Sequence, residues 1–324
     1  MASPTGATSS TLVHAEKLAR AGYVVDASRV LEAAGEAGDP EALFLLATWR
    51  LRGQPVPRDL PAAHRLFGRA AEAGHPDAQR IHRAFLAHGA GGLRDWPGAL
   101  AALRASADAE AARQLRLIEA MALGSDGDPL SVPKGDAVGA PLPVTLFRGF
   151  CSPLECRYLI DASEPYFGPA VVVDPRTGAQ IRNPVRTSDW TDFGLVDENP
   201  AIHAINRRIA AASGTTPEQG EPLQVLRYAP GQEYRMHSDA LPPEPGLNQR
   251  ILTFLIYLND DYDGGATFFE STGLALRPQA GDAVLFRNTT DDGRMDLRMR
   301  HAGQPVTRGV KYLASRWVRE RPVL

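Results

Sequence analysis

The spacing of apolar residues divides the chain into two regimes. Over residues 14–120, Leu, Ile, Val, Phe and Trp recur at helical spacing among alanines, and the runs stop at Gly followed by Pro. That pattern predicts short amphipathic helices stacked as pairs. Beyond residue 142 the period changes. Helices are predicted over 152–165 and 199–213, and then come strand-like runs: LQVLRY, RILTFLIYLN, ATFFE, GDAVLF and VKYLASRWV. Turn signals such as APGQ, DDYDGGA and RPQAGD separate them, so this half reads as a β-sandwich or barrel with flanking helices. Residues 123–141, rich in Gly, Pro, Ser and Asp, read as the linker between the two.

The helical half repeats itself. AHRLFGRAAEAGHPDA at 63–78 matches ASRVLEAAGEAGDPEA at 27–42, and RDWP at 94–97 matches RDLP at 58–61, both at an offset of 36. A third, degraded copy covers about 98–112. One such unit cannot bury its own apolar face, so neighbours must stack into a solenoid. The AAEAG-x-P-x-A signature resembles Sel1-like repeats, which are related to tetratricopeptide repeats, over roughly residues 14–120. The resemblance implies either a protein-binding surface or a plain helical scaffold. The expected organisation is a disordered terminus (1–13), helical repeats (14–122), a linker (123–141) and a β domain (142–324).

Composition narrows the function classes. A formal charge of −3 gives no reason to expect nucleic acid or an anionic membrane as partner. No apolar run is long enough to span a bilayer, and the N-terminus lacks the basic-then-apolar order of a secretory signal. Cys151 and Cys156 are the only cysteines, five apart in one predicted helix, where their side chains diverge, so no disulfide is expected and a reducing cytoplasm is the simplest home. The basic residues are nearly all arginine, with Lys17, Lys134 and Lys311 the exceptions, which together with the Ala-rich helices suggests a bacterial gene of high GC content.

The chemistry begins at YRMHSDAL. On a strand, His237 and Asp239 project to one side and can reach a common point. His301, in RMRHAGQPV, supplies a third donor. Two histidines and a carboxylate that leave coordination positions open suit non-haem Fe(II). Zinc can also use this set, but the H-E-x-x-H helix common in zinc hydrolases is absent. Ten residues after His301 comes Lys311, which by strand alternation shares a largely apolar face with Leu313, Ser315 and Trp317. A buried ammonium needs an anion, and a dicarboxylate cosubstrate chelating iron at its other end would provide one.

Residues 223–320 resemble the catalytic domain of the prolyl 4-hydroxylase group of 2-oxoglutarate/Fe(II) dioxygenases. LQVLRYAPGQEYRMHSD, RILTFLIYLNDDYDGGATFF, LRPQAGDAVLFRN and RMRHAGQPVTRGVKYLASRWV carry the resemblance, with VTLFRGFCSPLECRYLIDAS and VRTSDW extending it back to about residue 143. It implies an α+β multidomain protein: an N-terminal α-helical repeat solenoid, then a double-stranded β-helix (jelly roll). It implies His237, Asp239 and His301 as Fe(II) ligands, Lys311 as partner of the distal carboxylate of 2-oxoglutarate, and Tyr228 and Thr267 as further contacts to that cosubstrate. Tyr234, Arg250 and Trp317 fall where the family meets its peptide substrate. O2 is the second cosubstrate, ascorbate a candidate reductant, and succinate and CO2 the coproducts. The chain departs from the family at Ser238 within the HxD triplet, at Ala266 in GGAT where GGET is usual, and at Arg319 where some members have His.

The expected activity is hydroxylation of a proline in a peptide or protein, with a protein partner at the repeats as a further expectation. Hydroxylation of a free amino acid or small metabolite, and a repeat-based adaptor with vestigial oxygenase activity, are the competing readings. Thr253 and Tyr257 share one face of RILTFLIYLN and read equally as pocket lining or barrel filling. Arg186 and the run DDGRMDLRMR read as solvated loops, with a lid as the alternative.

Overall fold

A computed structural model describes residues 10–173 and 180–323; the terminal segment expected to be disordered lies largely outside them. The chain forms two compact units. One comprises the residues up to Arg116 together with Ser125–Gly127 and Leu195–His203; the other comprises Leu117–Gly124, Asp128–Gly194 and Ala204 onward.

The helical unit contains α1 (Ser10–Arg20), α2 (Val24–Glu36), α3 (Pro40–Arg52), α4 (Leu60–Glu72), α5 (Pro76–His88), α6 (Trp96–Ala105) and most of α7 (Ala109–Ala120). The 36-residue repeat is visible as structure: α2, α4 and α6 begin at 24, 60 and 96, and α3 and α5 begin at 40 and 76. The repeated RD-x-P tetrapeptide is a helix start. Asp59 and Asp95 accept from the backbone N–H of Ala62 and Gly98, and Asp39 does the same for α3. Each is followed by a proline in the first turn, where its missing N–H loses nothing. Gly53 and Gly89 end α3 and α5 in the left-handed conformation. Phe67 and Phe85, both fully buried, pack edge to face at 5.6 Å and anchor the core shared by α3, α4 and α5.

In the other unit the strands, in chain order, are β1 (Asp136–Val138), β2 (Val144–Phe147), β3 (Gly168–Pro169), β4 (Val171–Val173), β5 (Gln180–Arg182), β6 (Asp189–Phe193), β7 (Leu223–Tyr228) and β8 (Tyr234–His237). They continue with β9 (Arg250–Tyr257), β10 (Asp263–Gly264), β11 (Thr267–Phe269), β12 (Leu274–Leu276), β13 (Ala283–Arg287), β14 (His301–Gly303), β15 (Val306–Arg308) and β16 (Lys311–Arg319). An eight-stranded antiparallel sheet runs β1-β2-β13-β9-β16-β7-β6-β3, and a four-stranded sheet runs β12-β11-β14-β8. Their inner faces meet over Leu226, Leu255, Phe269, Phe286, Met299 and Leu313, giving the expected jelly roll. The linker reading of 123–141 needs one correction: it contains β1, which pairs with β2 from Asp136↔Leu146 to Val138↔Val144. A three-residue edge strand is held by backbone hydrogen bonds and needs no apolar alternation, so composition conceals it.

Helices α8 (Pro153–Ser163) and α9 (Pro200–Ser213) flank the large sheet. Ser152 and Glu155 form a reciprocal capping box on α8. Glu155 also pairs with Arg208 of α9 at 2.5 Å, and Arg316 of β16 donates to the Asn206 carbonyl of α9 at 3.2 Å. Arg316 is thus directed to the outer face of β16, while Lys311, Leu313, Ser315 and Trp317 alternate inward. Cys151 precedes α8 and Cys156 lies within it, both as buried free thiols.

Asp59→Ala removes the cap of α4 and is expected to lower the unfolding free energy by about 1 kcal/mol, with Asp59→Asn close to wild type. Denaturant titration followed by far-UV circular dichroism checks both, and equal losses in the two variants would refute the capping role.

Candidate metal centre and cosubstrate pocket

The two sheets bring three donors to one point. Strands β14 and β8 pair with His301 directly opposite His237, so both side chains enter the same side of the small sheet. Asp239 follows just after β8 ends. The ligand atoms of the three lie within 4.8 Å of one another, and each histidine Nε2 is 3.5 Å from an Asp239 oxygen. Among the described residues this is the one such cluster of metal-ligating side chains.

Each donor is fixed from behind. The Nδ1 of His237 lies 2.7 Å from the Arg235 carbonyl and that of His301 3.0 Å from the Met299 carbonyl. Donating Nδ1–H to those carbonyls leaves both Nε2 lone pairs facing inward. Tyr234 stacks on His237 at 3.5 Å, and Phe286 packs against His301 at 4.8 Å. Thr253 donates to Asp239 Oδ2 at 2.7 Å, and Asn288 Nδ2 donates to Thr253 at 2.9 Å. Burial opposes ionisation of Asp239, but the imidazole of His301, then that of His237, and the Thr253 hydroxyl outweigh it and hold the carboxyl well below the usual range. Burial lowers the pKa of His301, against the facing Asp239 carboxylate, which raises it. The set fits a divalent metal: two imidazole nitrogens, one carboxylate, and an open side toward the cavity.

Lys311 occupies the same cavity. Its register partner across β7 is Tyr228. The ammonium is 2% exposed, donates to the Gly265 carbonyl at 2.6 Å and lies 5.2–5.9 Å from the ring centres of Tyr228, Tyr257 and Tyr262. No carboxylate among the described residues lies within ion-pair distance of it. Burial lowers its pKa to about 7. Thr267 and Tyr228 line the cavity beside it, and Tyr257 and Thr267 share a 2.6 Å hydrogen bond. The inner surface therefore has a metal-ligating end and a cationic end, the complement of a small dicarboxylate.

The other expected residues divide. Tyr234 and Trp317 line the cavity, and the Trp317 indole N–H is buried without an acceptor. Arg250 stands behind Trp317, 3.7 Å above its ring, held by a bidentate pair with Glu221 at 2.6 and 2.8 Å. Arg319 shares that same glutamate. Arg186 needs correction. It is not a solvated loop residue but a half-buried part of the cavity wall, facing the rings of Trp190 and Tyr234 and donating to Gln224. An isolated bridge between Arg186 and Tyr234 turns the segment inward, and no local pattern announces such a long-range pairing. The run 291–300 is also partly internal, since Met299 and Asp296 are buried. Thr253 and Tyr257 fill the barrel behind the cavity wall rather than line it, each bonded to a lining residue, Asp239 and Thr267, and Asn288, which sequence reasoning missed, supports Thr253 in turn.

Comparison with known proteins agrees with this geometry. The profile of the 2OG-Fe(II) oxygenase superfamily matches residues 223–319. Prolyl 4-hydroxylase 1 of Arabidopsis thaliana is 35% identical over 228 residues, spanning 64% of this chain and 81% of that protein. The chain belongs to the prolyl 4-hydroxylase family. As a member of that family it is a 2-oxoglutarate/Fe(II)-dependent dioxygenase. Among solved structures, the viral collagen prolyl hydroxylase of Paramecium bursaria Chlorella virus-1, in its 2OG complex, aligns with a TM-score of 0.46 at 25% identity, over 56% of this chain and 99% of that one. A Sel1 repeat protein from Oxalobacter formigenes aligns with a TM-score of 0.30 at 22% identity, over 33% of this chain and 47% of that one.

Two predictions test the site of this hydroxylase. Thr253→Val frees Asp239 Oδ2 and is expected to weaken divalent-metal affinity roughly 10–100-fold, read by anaerobic titration; unchanged affinity would exclude the support role. Lys311→Met is expected to raise the unfolding free energy at neutral pH by roughly 1–3 kcal/mol, since it removes a buried cation with no ion-pair partner. The sign also fixes a pH dependence. The folded value near 7 lies below the ordinary 10.5, so between them the unfolded chain binds the extra proton and Lys311 makes stability rise with pH. That part of the slope should vanish in Lys311→Met, which thermal melts from pH 7 to 10 measure.

Proposed function

We propose that the chain hydroxylates proline in a peptide or protein, using Fe(II) held by His237, Asp239 and His301 and 2-oxoglutarate held at its far carboxylate by Lys311. The observation that carries this reading is the buried Lys311 ammonium, without a carboxylate partner among the described residues, in the same cavity as the three metal donors. Thr267 and Tyr228 supply hydroxyls beside that carboxylate. Bound Fe(II), 2-oxoglutarate and O2 together supply an oxidative decarboxylation in which one oxygen atom enters succinate, the other enters a substrate C–H bond, and CO2 leaves.

This chain contributes position, charge and dryness. Thr253 and Asn288 hold the Asp239 carboxylate in one orientation, and the Arg235 and Met299 carbonyls hold the imidazoles. Leu226, Leu255 and Leu313 exclude water around the cosubstrate seat and strengthen the Lys311–carboxylate attraction. Tyr234, Trp317 and Arg186 form the wall against which a substrate ring can lie. Arg250 positions Trp317 from behind. A proline ring suits such a wall, being compact and apolar, and the indole N–H can donate to a peptide carbonyl. The free thiols of Cys151 and Cys156 support a reducing cytoplasm as the site of action. Ascorbate would serve as the reductant that recovers oxidised iron, and the helical repeats would carry a protein partner.

The expected result is succinate release under O2 from enzyme loaded anaerobically with Fe(II) and 2-oxoglutarate, stimulated by proline-containing peptides and not by free proline. Loss of at least a hundredfold in His301→Ala and in Lys311→Ala is expected alongside it. Stimulation by free amino acids alone would replace the peptide reading, and full activity in either variant would overturn the site assignment. Cosubstrate binding has its own signature: above pH 7 it should take up a proton at Lys311, so affinity falls by up to about tenfold per pH unit. Calorimetry at pH 8 in buffers of different ionisation heat measures that uptake.

A further inference from the structure

The helical unit carries a concentration of unpaired positive charge. Two adjoining surface cavities between α2, α3 and α4 share Arg50. Arg65 and Arg69 line one, together with half-buried Leu66 and the almost fully buried Leu46, and Arg58 lines the other. The arrangement follows from helical spacing: Leu46 and Arg50 stand one turn apart on α3, as do Arg65 and Arg69 on α4, with Leu66 beside them. Among the described residues no carboxylate lies within 4.0 Å of any of the four guanidinium groups. Arg69 donates to the Gly35 carbonyl at 3.2 Å.

The nearby acids do not neutralise this charge. Glu32 lines the same cavity as Arg50, Arg65 and Arg69 but is exposed and forms no ion pair with them, and the Asp59 carboxylate accepts from Ala62 N–H as the cap of α4. Elsewhere in the same unit Arg29, Arg80 and Arg83 each face a carboxylate: Asp26, Asp197 and Asp108. A chain of net charge −3 has carboxylates enough to pair Arg50, Arg58, Arg65 and Arg69, yet leaves them together around one groove. Exposed like charges held close repel one another, and a bound anionic partner relieves that repulsion.

We propose that this groove binds an acidic, leucine-containing segment of a partner protein, with carboxylates on the arginines and apolar side chains against Leu66. Guanidinium groups pair with carboxylates through two parallel hydrogen bonds, which gives the contact direction as well as charge. A nucleic acid fits less well. No aromatic ring lines either cavity for base stacking, and Leu66 would face a sugar–phosphate backbone. This inference goes beyond the oxygenase reading and does not depend on it.

Fluorescence anisotropy on the full chain tests it, with a labelled twelve-residue peptide of mixed Glu and Leu as probe. Binding is expected to weaken steeply with salt, and to fall at least tenfold when Gln replaces Glu in the peptide or when the protein carries Arg65→Glu with Arg69→Glu. A Lys–Leu peptide should then bind the doubly substituted protein better than the wild type. Far-UV circular dichroism confirms that the variant is folded, and 2-oxoglutarate turnover on a proline peptide without acidic residues should be unchanged in it. Equal binding of the Gln peptide, no effect of the double substitution, or tighter binding of a single-stranded oligonucleotide of equal charge would each overturn the proposal. None of those results bears on the metal site.

Discussion

A carboxylate and an ammonium are buried in one cavity of the barrel, and neither neutralises the other. In a poorly solvated interior such a pair would ordinarily close on itself. Here the scaffold gives each a separate set of contacts. Asp239 is engaged by Thr253 and by two imidazoles, while Lys311 is held by the Gly265 carbonyl and ringed by three tyrosines. The two sheets of the jelly roll keep these ends apart, since the metal donors belong to the small sheet and the loop after it, and the lysine to the large one. Much of the remaining site is the apparatus of that separation.

This division explains what was legible in the sequence. Alternation along VKYLASRWV places Lys311 on the same face as Leu313, Ser315 and Trp317, and all four line the cavity. The two-residue step from His237 to Asp239 is a consequence of strand geometry and could be read locally, whereas His301 was joined to it through the resembled family's motifs, and its register partnership with His237 is supplied by the fold. The helical repeat was equally plain, because capping Asp, first-turn Pro and terminal Gly act locally and recur with their 36-residue period.

What escaped depends on contacts that no local pattern encodes. Asn288 directly follows β13, and its role comes from reaching Thr253 on the neighbouring strand β9. Arg186 precedes β6 in a stretch with every mark of a polar loop, and only its bridge to Tyr234 draws it to the cavity. Thr253 and Tyr257 stand on the expected inward face, but whether an inward hydroxyl fills space or holds a ligand depends on what faces it across the barrel. The β1 strand escaped for the opposite reason, having no side-chain pattern to find.

The turn before β11 bears on how this lineage can vary. Gly264 and Gly265 both adopt left-handed conformations, with φ of 72° and 64°. A Cβ on Gly264 would come within 2.4 Å of the Pro305 carbonyl oxygen, and one on Gly265 would press on Tyr262, Val306 and the Lys311 stem at 3.0–3.2 Å. Thr267 is tied to Tyr257. Of the four residues in GGAT only Ala266, half-buried, is under neither demand, and it is there that the chain departs from the usual GGET. A larger side chain at position 266 would meet neither the left-handed backbone of the two glycines nor the hydrogen bond of Thr267.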